Sequence, residues 1–431
     1  MTQTLTLLGI PVEFLLFACT LLGVALFHAH TLKVALIGLA VITSYKLAYV
    51  GFHHGAGLAG LASHLGHEWV LLANLMMLLV GFAVLARFFD ASRVPEMLPR
   101  FLPDDWRGAF MLLVLIFVLS SFLDNIAAAI IGGTVAASVF KGRVHIGYLA
   151  AIVAASNAGG SGSVVGDTTT TMMWIGGVDP LDVVHAYVAA VVALVVCGIP
   201  AALQQHRHQP ITADVAPGVR IDWVRVGIVA FILASAIAAN VYVNLRHAAL
   251  ADSFPFIGVA VFGAILLSSL LRRPDWAVVP EAAKGALFLL SLVLCASMMP
   301  VEHLPVASWQ TALGLGFVSS VFDNIPLTKL ALEQGGYDWG FLAFAVGYGG
   351  SMLWFGSSAG IALSNQFPQA RSVGAWLRHG WHVALGYVVG FSVMLLVLGW
   401  HPHEPQRRGD AAAPAVVAAP SIDAARMPAG A

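Results

Sequence analysis

The sequence predicts an all-α polytopic membrane protein, built as two inverted repeats of five transmembrane helices, each with a re-entrant hairpin and a broken helix. Three observations point there. Of the 431 residues, 59% are hydrophobic and only 10% charged, and the mean hydropathy is +0.85. A soluble domain carries about 25% charged residues. Several apolar runs exceed the ~20 residues needed to cross a bilayer. Finally, an unusual phrase, an acid beside an amide inside an apolar run, occurs twice: "SSFLDNI" at 120–126 and "SSVFDNI" at 319–325, 199 residues apart.

Taken in order, the apolar runs predict spans near 6–27, 31–51, 67–89, 145–176, 181–203, 222–245, 254–271, 283–301, 338–366 and 379–400. Two further stretches, about 108–140 and 308–335, are interrupted at their centres by Asp-Asn. Their arms are too short to span singly at 1.5 Å per residue, so they read as re-entrant hairpins with Asp-Asn at the tip. The N-terminus has no basic region before its apolar run and reads as a retained first helix, not a cleaved signal. With the N-terminus outside, most of the 21 lysines and arginines fall in inside loops, as the positive-inside rule requires. That orientation places the first hairpin on the cytoplasmic side and the second on the outer side.

A second repeated phrase follows the first. "GGSGSVVGDT" (159–168) aligns with "GGSMLWFGSS" (349–358) at an offset of 190. Each half therefore reads as three helices, a hairpin, a broken helix and a last helix. Five spans per half is an odd number, so the halves have opposite topology. Inverted repeats interrupted at matching places are the sequence mark of a secondary transporter. The expected organisation is a first repeat over 1–203, a cytoplasmic linker over 204–221, a second repeat over 222–401 and a disordered Ala/Pro-rich tail over 402–431.

Chemistry is expected where polar groups meet apolar spans. A carboxylate at membrane depth costs at least ~2.5–3.5 kcal/mol, and irregular backbone is tolerated there only inside protein or around a wet cavity. Asp124 and Asp323 therefore need partners. Asn125 and Asn324 supply amide oxygens, and the broken helices supply Asn157, Ser161, Asp167, Thr168, Thr169, Ser351, Ser357 and Ser358. A hard cation takes several oxygen ligands of this kind. Helix C-termini suit a cation and N-termini an anion, so the same architecture serves either sign. The carboxylates favour a cation such as sodium, with Asp124 and Asp323 as its ligands and a proton as its competitor. Capping of the helix ends is the alternative role for Asp124, Asp167 and Asp323. Lys329 could pair with Asp323 or Asp167 in one state of a cycle, standing in for a cation, or could snorkel to the interface.

Other signals are weaker. The segment 53–67, with His53, His54, His64 and His67, reads as an interfacial loop with pH sensing as a lesser reading. Cys19, Cys197 and Cys295 read as small buried hydrophobes. "GGSGSVVGD" lacks the Lys-Ser/Thr ending of a phosphate loop. An intramembrane aspartyl protease built on Asp124 and Asp167 does not fit Val164-Val165-Gly166-Asp167, so no enzyme is expected. The net charge of −1 and the lack of a dense basic stretch argue against nucleic acid. The expected partners are the lipid bilayer and a small ion, with no cofactor.

These residues resemble the ion transporter superfamily, which takes in NhaD-type sodium/proton antiporters, arsenite permeases and citrate or dicarboxylate transporters. "SNAGGSGSVVGDTTTTMMWIGG" (156–177) resembles the NhaD-type motif SNAGG-x-x-S-x-x-GD-x-TTTM-x-W. "DNIPL" (323–327) and "GYGGSMLWFGSSAGIAL" (347–363) resemble its second-half motifs. The resemblance implies a sodium (or lithium)/proton antiporter of a bacterial inner membrane. It also implies a homodimer with a scaffold and a moving transport domain, whose site is formed by Asp124, Asn125, Asn157, Asp167, Thr168, Asp323, Asn324 and Ser357. The chain departs from the pattern at Ser161-Gly162 and Ser163-Val164-Val165, where Ala-Trp and Ser-Pro-Ile are expected, and at Lys329. The departures leave room for a citrate, dicarboxylate or arsenite-like oxyanion carrier of the same superfamily. A channel or membrane scaffold is the more distant alternative.

Overall fold

The computed structural model describes residues 6–7, 10–27, 30–52, 55–97, 102–211, 220–246, 253–300, 303–322 and 324–403. Asp323, His53, His54 and the tail from 404 onward lie outside the described residues.

After two two-residue strands, Thr6–Leu7 and Ile10–Pro11, the described chain is helical. The helices are α1 (Val12–Leu26), α2 (Thr31–Tyr45, continued by a π turn, Lys46–Val50), α3 (Gly57–Asp90), α4 (Val94–Met97), α5 (Trp106–Ser120), α6 (Asn125–Val139), α7 (Ile146–Ser161), α8 (Thr168–Ile175), α9 (Pro180–Val184), α10 (Ala186–His208), α11 (Trp223–Arg246), α12 (Phe256–Ser268), α13 (Val279–Ser297), α14 (Trp309–Ser319), α15 (Asn324–Gln334), α16 (Trp339–Gly349), α17 (Ser358–Gln366), α18 (Val373–His379) and α19 (Trp381–Leu398). Among the described residues, five stretches are long and apolar enough to cross a bilayer: Thr31–Val50, Gly57–Asp90, Pro180–His208, Trp276–Ser297 and Trp381–Leu398. The protein is an all-α, multi-pass membrane protein.

Each interrupted run resolves into a pair of helices. The run at 108–140 breaks between α5 and α6 at Asp124, and 145–176 breaks between α7 and α8 at Gly162–Asp167. In the second half, 308–335 separates α14 from α15, and 338–366 separates α16 from α17. Helices α7 and α16 are predominantly apolar and are buried throughout, over Gly147–Ser161 and Trp339–Gly349. A helix without a polar face belongs in the core. Around them pack α5, α10 and α19, with Tyr348 and Tyr387 stacked on Phe344.

The two halves use matching ties. Ser120 Oγ, at the end of α5, donates to Ser156 O on α7 at 2.5 Å. Ser319 Oγ, at the end of α14, donates to Val346 O on α16 at 2.6 Å. The donors are 199 residues apart and the acceptors 190, the offsets of the two repeated phrases. The crossings are close enough to require glycine. A Cβ at Gly159 would lie 2.0 Å from Phe117 O, and one at Gly349 would lie 2.3 Å from Gly316 O. Because the opposing atoms are backbone, Gly159→Ala and Gly349→Ala are each expected to cost about 1–3 kcal/mol, the usual range for overpacking. Gly285→Ala, with nothing within 4 Å, is the control. Thermal unfolding in detergent reads this out: a lower midpoint for the first two and none for the third.

Two expectations need correction. The segment 53–67 is not a loop over most of its length, since α3 begins at Gly57. His64 and Glu68 lie one turn apart on its buried face, and His64 Nε2 meets Ser297 Oγ at 3.0 Å. Cys197 and Cys295 are buried, but Cys19 is exposed on the surface of the chain. An apolar helix can turn a cysteine toward lipid as readily as toward a core.

Candidate ion-binding site

The site lies where α6 and α8 begin and α7 ends, against the break between α16 and α17. Asp124 precedes α6 with extended backbone, and its Oδ1 accepts from Ile126 N at 2.9 Å. Asp167 precedes α8, and its Oδ1 accepts from Thr169 N at 3.1 Å. Both acids are therefore N-caps, the arrangement that satisfies otherwise orphaned N–H groups. Each also sets a negative charge against the positive end of a helix dipole. Capping occupies one oxygen of each carboxylate in this way. The other oxygen of Asp124, Oδ2, lies 3.5 Å from the Thr168 hydroxyl, which links the cap of α6 to the first residue of α8 across 44 residues. Asp124 is only partly buried, whereas Asp167 and Thr168 are buried.

Asn157 is the hub. It is fully buried on α7. Its Oδ1 accepts from Asn125 Nδ2 at 3.0 Å. Its own Nδ2 donates to Ser351 Oγ at 2.9 Å and to Ser357 Oγ at 3.1 Å. Ser357 in turn caps α17, accepting from Gly360 N at 3.3 Å. One amide thus joins the first Asp-Asn phrase to the broken segment of the second half. A buried amide with three of its hydrogen-bonding positions used is held in one orientation.

The helix break before α8 is built by threonines. Thr170 Oγ1 donates to Ser163 O at 2.6 Å, and Thr171 Oγ1 donates to Val164 O at 2.8 Å. These bonds take up carbonyls of the irregular break between α7 and α8. Ser163 Oγ donates to Ser121 O at 2.6 Å, fixing the break against the end of α5. Ser121, Thr170 and Thr171 were not singled out from the sequence, and Ser163 was noted only as a departure from the resembled motif. The signal was present in the run of four threonines after Gly166-Asp167. Thr169 is buried, and its hydroxyl has no hydrogen-bond partner among the described residues.

Of the expected residues, Asp124, Asn125, Asn157, Thr168, Ser351 and Ser357 are joined by these bonds. Asp167 lies beside them in sequence with Thr168. Ser161 is buried and donates to Ala158 O of its own helix at 2.8 Å. Asn324 is buried as the first residue of α15. Asp323 lies outside the described residues. Lys329 is bonded to Glu68 and Glu333 in this structure, with Nζ–Oε distances of 3.0 and 2.7 Å, rather than to Asp167.

Chemically, the arrangement gathers carboxylate, amide and hydroxyl oxygens at helix breaks inside a membrane protein. Such groups can replace the water around a small hard cation, and the carboxylates can take a proton instead.

No family model matches the chain. It is similar to a protein named sodium/proton antiporter 1 of Arabidopsis thaliana, with 26% identity over 333 residues, or 66% of this chain and 54% of that protein. The chain thus matches only about half the length of that relative. It is also similar to the Na(+)/H(+) antiporter NhaD of Halomonas elongata, with 25% identity over 437 residues, 86% of this chain and 84% of that protein. To the NhaD of Alkalimonas amylolytica it is 27% identical over 390 residues, 76% of this chain and 78% of that protein.

Proposed function

We propose that this chain is a sodium/proton antiporter of the NhaD type, in which a cation and a proton compete for membrane-embedded aspartates. The observation that carries the reading is the convergence of Asn125, Ser351 and Ser357 on Asn157, beside the cap Asp124 and its contact with Thr168, the first residue of α8. Relatives named as sodium/proton antiporters over most of the chain's length supply the ion.

In this reading Asp124 is the exchangeable group. It is the partly exposed carboxylate, and its Oδ2 makes a long contact to Thr168. Sodium would bind to Asp124 with the neighbouring Asn125 and Thr168 oxygens, and a proton would displace it. Asp167, Asn157, Ser351 and Ser357 hold the ends of α7, α8 and α17 in register around it. Ser161 and Asn324 line the same breaks. Asp323 serves as the counterpart of Asp124 in the second half, as the repeated phrase suggests. Two inverted repeats, 1–203 and 222–401, joined by a linker over 204–221, would relate the halves, with each Asp-Asn at the tip of a re-entrant hairpin. The matching ties Ser120–Ser156 and Ser319–Val346 support this pairing. The proposed setting is a bacterial inner membrane, as a homodimer, with sodium and protons as cargo and no cofactor.

A second reading has one observation in its favour. The N-termini of α6, α8 and α17 all open at the site, and helix N-termini suit anions. A citrate-like or oxyanion substrate would use them. Two of the three are already capped by aspartate, which favours the cation.

The test uses everted membrane vesicles with an imposed proton gradient and a pH-sensitive dye. Sodium or lithium is expected to collapse the gradient, and potassium and citrate are not. Collapse by citrate alone would overturn the cation reading. The pH dependence has a defined sign. The cation needs the ionised carboxylate, so the apparent KM for sodium is expected to rise as pH falls. In the limit of simple competition the rise approaches about tenfold per pH unit, the tenfold change in proton concentration. An apparent KM that is flat with pH would exclude a shared carboxylate.

A further inference from the structure

Lys329 carries a buried positive charge that the exchange reaction does not use. Its side chain is 8% exposed and sits between two carboxylates. Nζ lies 3.1 and 3.0 Å from the two oxygens of Glu68, whose side chain is 5% exposed. It also lies 2.7 Å from Oε1 of Glu333, which is 30% exposed. Glu68 is on α3 and Glu333 is on α15, one turn beyond Lys329. The two contacts are therefore different in kind: one joins two helices 261 residues apart, and the other stays within a single helix.

The interhelical contact is a reach and not part of a packed seam. Helix α15 packs chiefly on α13, α8 and α16, and far less on α3. A lysine stem spans the distance that smaller side chains leave open. Such a pair is poor glue. Removing two charges from water costs about as much as their attraction returns, so a buried ion pair is worth little net stability but discriminates strongly between arrangements. Breaking one ordinarily leaves a stranded charge. Here Glu333 changes that balance. If α15 shifts away from α3, Lys329 keeps Glu333, because both move on the same helix. Glu68 is left one turn from His64 on its own helix. Lys329 stands five residues after Asn324, about 7.5 Å along the helix at 1.5 Å per residue, so any shift of α15 is a shift of Asn324.

We propose that the Glu68–Lys329 ion pair is a releasable tie. It holds the segment bearing Asn324 toward α3 in the state seen here and opens when that segment changes position during transport, with Glu333 keeping the lysine paired. This rests on the reading of the chain as a transporter whose site includes Asn324.

The test measures distance directly. Spin labels are placed at Ser63 on α3 and at Gln334 on α15, in full-length protein lacking Cys19, Cys197 and Cys295, and read by double electron–electron resonance in sodium-free buffer. The wild-type pair is expected to give one dominant distance. Lys329→Met and Glu68→Gln are each expected to raise a second, longer distance population at least tenfold, and Lys329→Arg is expected to restore the single distance. If either single variant does not fold, Glu68→Gln/Lys329→Met strands no buried charge and carries the same expectation. Distributions unchanged from wild type in the folded charge-removal variants would overturn the tie. Sodium/proton exchange is measured on the same unlabelled wild type. Absence of exchange with the distance shift intact refutes the antiporter reading alone, whereas exchange with unchanged distances refutes the tie alone.

Discussion

Asn157→Ala is expected to lower sodium-driven proton exchange about 100-fold, because two or more buried partners lose their bond, each worth about 1–3 kcal/mol when left unsatisfied. Asn125 Nδ2 loses its acceptor, and Ser351 Oγ and Ser357 Oγ lose a donor. The damage reaches two helix breaks at once, since Asn125 opens α6 and Ser351 and Ser357 both lie in the break between α16 and α17. Alanine creates only a small void in a helix already rich in Ala and Gly, so the helix itself should persist. Initial rates in vesicles, normalised to the amount of folded protein, check the expectation. Exchange within threefold of wild type would show that Asn157 does not organise the site.

Asp124→Asn is expected to abolish exchange while leaving the fold intact, a loss of at least about 100-fold if the charged, protonatable group is the carrier. The substitution is informative because asparagine caps a helix about as well as aspartate. The bond from Ile126 N can be kept by the amide oxygen. What disappears is the charge that attracts a cation and the site that exchanges a proton for it. A structural role confined to capping would leave Asp124→Asn active. Thermal unfolding close to wild type, with exchange gone, separates transport from stability. Asp167→Asn retains its cap to Thr169 N by the same logic. Because Asp167 is more deeply buried than Asp124, its loss is expected to weaken sodium affinity more than to remove proton coupling.

The parts of this molecule that could be read in advance were those where the sequence violates the rules of an apolar span. Asp124-Asn125, Gly159-Gly160-Ser161 and Gly349-Gly350-Ser351 stand out because polar and glycine residues are conspicuous against leucine and valine, and each marks a real end of helix. Asn157 was recognisable as a ligand candidate but not as a hub, since its serine partners lie 194 and 200 residues away. The aspartates were legible as acids needing partners. Whether those partners were N–H groups or an ion was left open, because one carboxylate can serve both through its two oxygens. Lys329 was visible as an anomaly, yet its partner on α3 could not be deduced from a chain separation of 261 residues. The start of α3 was missed for a local reason. Four histidines and several glycines make 53–67 look like a surface loop, and the burial of His64 and Glu68 on one helix face becomes apparent only at a spacing of four.

The central claim is that Asp124 exchanges sodium for protons, and the most direct measurement is made on purified protein. Proteoliposomes loaded with sodium are diluted into sodium-free buffer, and external acidification or alkalinisation is followed together with loss of radioactive sodium. Sodium efflux accompanied by proton uptake is expected in wild type, speeded by external acid, which supplies the exchanging proton at the releasing face, with both fluxes absent in Asp124→Asn. Sodium loss without proton movement, or equal coupled fluxes in Asp124→Asn, would contradict the claim.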